Sequence, residues 1–417
     1  MALAGDPIGT HSVSYNSPVG SSIFGSAEDW VVATGTQAEA FSRQDETYMR
    51  RALALAARGR GSVEPNPMVG CVLVRDGRVI GEGYHRRFGG PHAEVDALDA
   101  AGGAARGATA YVTLEPCCHH GKTGPCTDAL LAGGIARVVA AMVDPFAEVA
   151  GKGLRVLAAA GVQTSVGLLE GEARSLNAPY LKCLTTGLPW VILKWAQSLD
   201  GKLATHTGQS QWITGESARR EAHRLRGVVD AVVVGAGTVA ADDPQLTCRL
   251  VKARRIARRV VVDGQLGIAL DRQLVRTARQ APVVIACTKA AVDASAAKAA
   301  ALRQAGCELL ALPTTAPGRI DLGALLKWFG TWRATNVMVE GGGHLLGQFL
   351  DQRLADEVAV FIAPVLIGGS RPAPDILAVT PWPMGVEDLA QSPRLERVRV
   401  RHLGPDLYYQ GRLAWPG

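Results

Sequence analysis

Thirteen residues, LEPCCHHGKTGPC from Leu114 to Cys126, hold three cysteines and two histidines. Upstream, GYHRRFGGPHAEVDAL brings His92-Ala93-Glu94 to the expected start of a helix. His92, Cys117 and Cys126 together offer one imidazole and two thiolates. Such donors suit zinc better than magnesium or calcium. A catalytic zinc takes three protein ligands and keeps a fourth position for water, whose pKa it lowers towards neutrality. Glu94 lies two residues beyond His92, in the first helical turn, where it can carry protons beside the metal without ligating it. A closed structural zinc site is the competing reading, with Cys118, His119 or His120 as fourth ligand. It leaves the His-Ala-Glu pairing without a purpose.

The order H-x-E followed by P-C is that of the zinc-dependent deaminases, in which a Glu that is not a ligand shuttles protons. The chemistry needs both parts: water attacks an amidine-like ring carbon, and the departing ammonia must be protonated. The general pattern is P-C-x-x-C, whereas eight residues, CHHGKTGP, separate Cys117 from Cys126 here. That insertion is too polar for a core and is expected to border the substrate.

These residues need elements to position them. With 417 residues, the chain is too long for one ordinary core, and two domains are expected. Residues 1–44, rich in Gly, Ser, Thr and Ala and without periodicity, read as a flexible extension. From 45 onward the chain alternates. Asp45 can cap a helix with Met49, Leu53 and Ala56 on one face. VGCVLVRDGRVIGEGYH is a hairpin about Asp76-Gly77. Helix, strand, helix, strand, helix and strand follow to residue 167. A helical connector over 168–188 ends near Gly187. The alternation then restarts: WVILKWAQSLDG is a strand, SARREAHRLRG a basic helix, and DAVVVGAGT a strand followed by a glycine turn. RRVVVDG, APVVIAC, CELLAL and TNVMVEGGG are further strands, and HLLGQFLDQRL is a helix. DEVAVFIAPVLIG and RVRVRHLGPDLYYQGRL close a second unit over 189–417. The class is α/β, with helices covering a sheet in each unit.

Composition narrows the function. Apolar content of 47% with 20% charged residues is that of a globular protein, and the net charge of +6 suits anionic small molecules without arguing for nucleic acid. The eight cysteines form no evenly spaced disulfide framework. No apolar run approaches about 20 residues, and no secretory signal is visible, so neither a membrane span nor export is expected and the cytoplasm is the default.

PNPMVGCV, GEGYH with PHAEVDAL, and LEPCCHHGKTGPC resemble the deaminase domain of the bifunctional riboflavin-biosynthesis enzymes, which share the long Cys–Cys spacing. KWAQSLDGKLAT, GQSQWITGESAR, VDAVVVGAGTVAADDPQLTCR and VEGGGHLLGQF resemble their reductase domain. The resemblance spans about 45–413. It departs at Cys118, where Ser is common, at Gly124, where Pro is common, and at Gly264, where Ser often follows the strand Asp. It implies a cytidine-deaminase-like three-layer α/β/α domain followed by a dihydrofolate-reductase-like α/β domain, with zinc and NADPH as cofactors. The implied partners are a phosphorylated pyrimidine substrate and a second copy of the chain.

By the same resemblance, Asn66 helps hold the pyrimidine; a turn-capping Asn is the alternative. His85 lines the pocket or simply ends a strand, and His119, His120 and Lys122 can meet the substrate phosphate. In the second domain, Ala196, Trp212, Thr238, Asp242 and the stretch Gly342, Gly343, His344, Leu345, Leu346, Gly347 and Gln348 are implied NADPH contacts. Lys194, Ser210, Arg226, Leu246, Arg249 and Glu340 are implied substrate contacts. Arg226 and Arg249 suit phosphate, because guanidinium forks match its oxygens. Against this, Arg226 sits with Arg219, Arg220 and Arg224 on what can be a solvated basic face. Asp200 either joins the site or shapes a turn. The implied pathway is hydrolysis of a 2-amino group, then reduction of a ribosyl to a ribityl chain at C1′. Two other readings stand beside it: a monofunctional nucleobase or nucleoside deaminase with an inert second domain, and a zinc-stabilised binding module.

Overall fold

A computed structural model describes residues 41–120, 124–369 and 380–416. The extension read over 1–44 lies outside them except for its last four residues. There helix α1 (Arg43–Ala56) begins before Asp45, with Ser42 as its cap. Ser42 Oγ accepts from the Asp45 N–H, and the Asp45 carboxylate accepts from the Ser42 N–H at 2.9 Å. Asp45 is thus the third helical residue of a capping box and not the cap itself.

The first sheet holds β1 (Gly70–Arg75), β2 (Arg78–Tyr84), β3 (Thr109–Val112), β4 (Arg137–Ala140) and β5 (Gln163–Val166) in the order β2-β1-β3-β4-β5. The β1–β2 and β1–β3 pairs are antiparallel, and β3, β4 and β5 run parallel. Asp76 and Gly77, both at positive φ, make the expected tight hairpin turn. Helices α2 (Ala93–Ala101), α3 (Cys126–Ala132) and α4 (Lys152–Ala159) complete the layer, and their Ala93, Ala97, Leu130 and Leu157 bury against Cys71, Leu73, Val112 and Val138. A Cβ on Gly83 would stand 2.3 Å from the Ala93 carbonyl oxygen. Only a bare strand lets α2 lie this close, and α2 carries Glu94.

The connector is two helices, α5 (Glu170–Leu176) and α6 (Ala178–Thr186), rather than one. Asn177 between them is buried, and its side chain bonds both the N–H and the carbonyl of Met68, at 2.8 and 2.9 Å. Gly187 ends α6 in the left-handed conformation.

The second sheet contains β6 (Trp190–Ser198), β7 (Ala231–Gly235), β8 (Arg258–Val262), β9 (Val283–Thr288) and β10 (Glu308–Leu312). A small hairpin, β11 (Thr314–Ala316) and β12 (Arg319–Ile320), stands apart from it. β13 (Asn336–Glu340), β14 (Glu357–Ala363), β15 (Arg394–Leu403) and β16 (Asp406–Ala414) complete the order β10-β9-β8-β7-β13-β6-β14-β16-β15. The first seven strands in this order run parallel, and β16 and β15 are antiparallel additions. Unbroken apolar runs such as Val191-Ile192-Leu193 and Val232-Val233-Val234 bury side chains on both faces, as parallel strands require.

Among the described residues, seven α-helices belong to this half: α7 (Glu216–Arg226), α8 (Ala236–Asp242), α9 (Gln273–Arg276), α10 (Lys289–Ala294), α11 (Ala296–Ala305), α12 (Leu322–Thr331) and α13 (Gly343–Asp351). The glycine turn expected after β7 is replaced by α8, since Gly235 caps a run that turns helical at once. No helix among the described residues is long and apolar enough to cross a membrane.

Candidate active sites

The first constellation is assembled by two helix starts and one loop. His92 caps α2, Cys126 opens α3, and Cys117 follows β3 after the turn at Pro116. His92 Nδ1 lies 3.1 Å from Cys126 Sγ and 3.4 Å from Cys117 Sγ, and the two sulfurs are 3.5 Å apart. Within this cluster the Cys126 thiol, then the His92 ring, hold the Cys117 thiol well below its usual range, and Cys126 is pushed up in turn. This triangle of soft donors fits a tetrahedral zinc with one position left over. Among the described residues it is the one cluster of His, Cys and carboxylate side chains that could hold a metal.

Glu94 is buried beside it. Burial, then the Cys117 thiolate, push its carboxyl up to about 7, a value suited to taking and returning a proton near neutral pH. Cys118 is not in the ligand set; its Sγ faces the Glu148 carbonyl at 4.0 Å. His119 leans edge-on against Phe146 with ring centroids 5.8 Å apart, its Nδ1 buried without a partner. Lys122 lies outside the described residues.

His85 proves more than a strand end. It is buried, its Nδ1 bonds the Pro91 carbonyl at 2.9 Å, and its Nε2 stands 3.4 Å from Asn66 Nδ2. Its ring meets that of His92 edge-on at 5.5 Å. The Asn66 side chain thus meets His85, whose ring in turn meets His92. The sequence also hides an anchor. The buried Glu115 carboxylate accepts backbone N–H groups from Asp144, Gly151, Gly153 and Leu154 at 2.8–3.2 Å, tying the start of α4 to the Pro116-Cys117 turn.

The second constellation gathers at the carboxyl ends of β6, β7 and β13, where ligands bind in open α/β sheets. Glu340 stands in register with Lys194 on the neighbouring strand. Arg226, at the end of α7, closes a two-pronged pair on Glu340, at 2.6 and 2.8 Å, and Lys194 Nζ lies 3.5 Å from the same carboxylate. Burial pushes Glu340 up, but Arg226 and then Lys194 outweigh it and hold it at about 2. The expected pair of phosphate clamps is therefore split. Arg226 is part-buried with its fork engaged on Glu340, not one more arginine of a solvated face. Arg249 is exposed, and among the described residues its guanidinium bonds Thr247 Oγ1 alone, at 3.3 Å. Leu246 is committed to the core.

His223 was not legible from sequence. It is buried on α7, and its Nδ1 accepts the Arg249 N–H at 2.8 Å.

Of the implied cofactor residues, Thr238 and the Gly342 turn meet where β13 enters α13. Gly342 N–H donates to Thr238 Oγ1 at 2.9 Å, and a Cβ on Gly341 would stand 2.6 Å from that oxygen. Gly341 also holds a φ of 118°. The start of α13 carries no side-chain cap, so its amides can receive a pyrophosphate. Leu345 and Leu346 turn into the core, and a Cβ on Gly347 would meet Pro383, so these three can serve only through backbone. Gly342 and His344 are exposed. Ser210 Oγ donates to Asp242 at 3.0 Å, joining a substrate and a cofactor candidate. Trp212 is exposed under the Arg219 guanidinium at 4.9 Å, and Ala196 lies opposite Phe361 in the sheet. Asp200 shapes a turn: it accepts from Ser198 Oγ and from the N–H groups of Ile367 and Gly368.

Comparison with known proteins covers both halves. Residues 42–142 match the cytidine and deoxycytidylate deaminase zinc-binding region, and residues 189–409 match the RibD C-terminal domain. The riboflavin biosynthesis protein RibD of Escherichia coli is 43% identical over 376 residues, covering 87% of this chain and 98% of its own. That of Aquifex aeolicus is 41% identical over 363 residues, covering 87% and 97%. Among solved structures, Acinetobacter baumannii RibD is 36% identical with a TM-score of 0.75, covering 89% of this chain and 99% of its own. The Thermotoga maritima diaminohydroxyphosphoribosylaminopyrimidine deaminase/5-amino-6-(5-phosphoribosylamino)uracil reductase is 34% identical with a TM-score of 0.72, over the same shares. An inert second half is not favoured, since that half has its own relatives.

Proposed function

The chain belongs to the RibD family of bifunctional riboflavin-biosynthesis enzymes, and from that premise we propose the substrates and residues of its two reactions. The first half hydrolyses the 2-amino group of 2,5-diamino-6-ribosylamino-4(3H)-pyrimidinone 5′-phosphate. The second reduces the ribosyl group of that product to give 5-amino-6-ribitylamino-2,4(1H,3H)-pyrimidinedione 5′-phosphate. The observation that carries the first step is the triangle of His92, Cys117 and Cys126 with Glu94 buried beside it.

Its cofactors are zinc and NADPH: the metal supplies a Lewis acid that acidifies water, and the nicotinamide supplies a hydride. His92, Cys117 and Cys126 hold the zinc. Glu94 takes the proton of the attacking water and returns it to the leaving ammonia. Asn66, set by His85, reads the pyrimidine edge, and His119 lies where the substrate phosphate can reach. In the second half, Thr238, Asp242, Ala196, Trp212 and the Gly342–Gln348 stretch hold NADPH, the buried members through backbone. Lys194 and Glu340 orient the sugar, Ser210 assists, Leu246 borders the site, and Arg249 takes the phosphate. Arg226 serves by holding Glu340 ionised.

We assign residues 45–167 to the deaminase, 168–188 to the connector and 189–417 to the reductase. A self-associated cytoplasmic enzyme acting on a small molecule completes this reading.

Mass spectrometry of the products with and without NADPH tests both steps together. Without NADPH, an amino group is exchanged for oxygen; with it, a hydride and a proton are added. An unaltered substrate sinks the deaminase assignment, and a product indifferent to NADPH sinks the reductase assignment.

A further inference from the structure

A cavity of about 710 Å³ opens between the two halves. It is bounded by α1, the Glu64–Met68 loop, the connector helices, the amino ends of β6 and β13, and the β15–β16 edge. Neither the zinc cluster nor Glu94, Lys194, Arg226 and Glu340 line it, so it is separate from both reaction centres; only Asn66 borders it. Its size suits a nucleotide-sized molecule.

Its charge is unbalanced. Arg50, Arg60, Arg397, Arg399 and Arg412 line it against three glutamates. Each acid has a partner of its own, although Glu64 Oε2 is buried without a hydrogen bond. Glu357 accepts from Trp190 Nε1 and Gln410 Nε2, Glu172 pairs with Arg50, and Glu64 accepts the Gly61 N–H. Arg412 is fixed, with its guanidinium 5.0 Å over the Trp190 ring and donating to the Ser175 carbonyl at 2.6 Å. Among the described residues, Arg397 donates to the Gly171 carbonyl alone, at 3.3 Å. The side chains of Arg60 and Arg399 have no partner among the described residues. Burial, then Arg397, push the Arg412 guanidinium down, with Arg399 adding to the effect. Positive charge in excess of its counter-charge, on planar forks that match phosphate oxygens, calls for an anion.

We propose that this junction cavity binds a phosphorylated small molecule of nucleotide size, at a site distinct from the substrate and cofactor sites, with Arg60, Arg397, Arg399 and Arg412 as its recognition groups. The ligand would join the two halves and touch the loop that carries Asn66.

Calorimetric titration of the full-length protein with inorganic pyrophosphate and, separately, with AMP tests this. Saturating NADPH is present, so that the cofactor site is filled. Binding is expected with at least one probe, weakening as salt is raised. It should fall at least about tenfold in R397A/R399A and in R60A, on the opposite wall, with both catalytic activities retained. R249A and H119A, which alter the proposed substrate-phosphate contacts, should bind as the parent does. Absence of binding by both probes at millimolar concentration overturns the proposal. So does undiminished binding in both cavity variants, or loss in R249A or H119A instead. Thermal melts check that each variant is folded, and the two cavity variants lie on separate segments, so either can decide.

Discussion

Arg226 and Glu340 face each other through two parallel hydrogen bonds, Nε to Oε1 at 2.6 Å and Nη2 to Oε2 at 2.8 Å, with the Glu340 side chain 5% and that of Arg226 15% exposed. Breaking a buried pair of this kind by removing one partner costs roughly 3–5 kcal/mol, because the other charge is left without compensation. Arg226→Ala should lower the melting temperature and abolish NADPH oxidation while leaving ammonia release intact. Arg226→Lys keeps the charge but loses the fork, and should recover folding more than reduction. A melting curve and a reductase rate like the parent's in Arg226→Ala would show the pair to be dispensable.

Glu94→Gln should leave bound zinc and folding unchanged and slow deamination by about 10²–10⁴, the usual worth of a proton carrier. The same variant, given deaminated substrate, should reduce it at the parent rate. Ammonia release measured beside metal content checks this; full release excludes Glu94 as the carrier.

The ligand set is tested by elemental analysis after dialysis. Cys117→Ser and Cys126→Ser should each lose zinc, and Cys118→Ser should keep it, because the Cys118 sulfur points to the Glu148 carbonyl and away from the cluster. The converse pattern would mean that the loop thiol is a ligand.

His223 gives a pH signature. Burial, then Arg226 and Arg249, push its imidazole down to about 4, against about 6.5 in an unfolded chain. Folding favours the neutral ring. Its contribution to stability is whole above about pH 6.5 and is lost as the pH falls from there towards 4. His223→Gln retains an acceptor for the Arg249 N–H but does not titrate. The melting temperature of the parent should therefore fall more steeply than that of the variant across this window. Parallel curves would exclude His223 as the source.

What could be read from sequence was what lies close in sequence. His92, Glu94 and Cys126 stand at helix starts and Cys117 on the loop between them, all within 35 residues, and residue type and spacing limit their roles. The hairpin at Asp76-Gly77 was legible for the same local reason. Arg226 and Glu340 lie 114 residues apart, and nothing near Arg226 distinguishes a buried fork from the solvated arginines around it. His223 is one more polar residue in that basic helix until the fold closes over it. Asp45 was read as a cap because it is a good one; Ser42, three residues earlier, is better placed to begin the helix. Helices α9 to α12 are overshadowed in the sequence by the strong strand runs between them.

Asn177 belongs by position to the connector, yet it holds Met68 by both backbone groups. That makes it a seam for anyone dissecting the gene. A fragment ending at residue 167 would expose the Met68 amide and carbonyl just beside the loop that carries Asn66. A deaminase prepared alone should therefore be cut after α6, so that it takes with it a strip of chain that contributes no chemistry of its own.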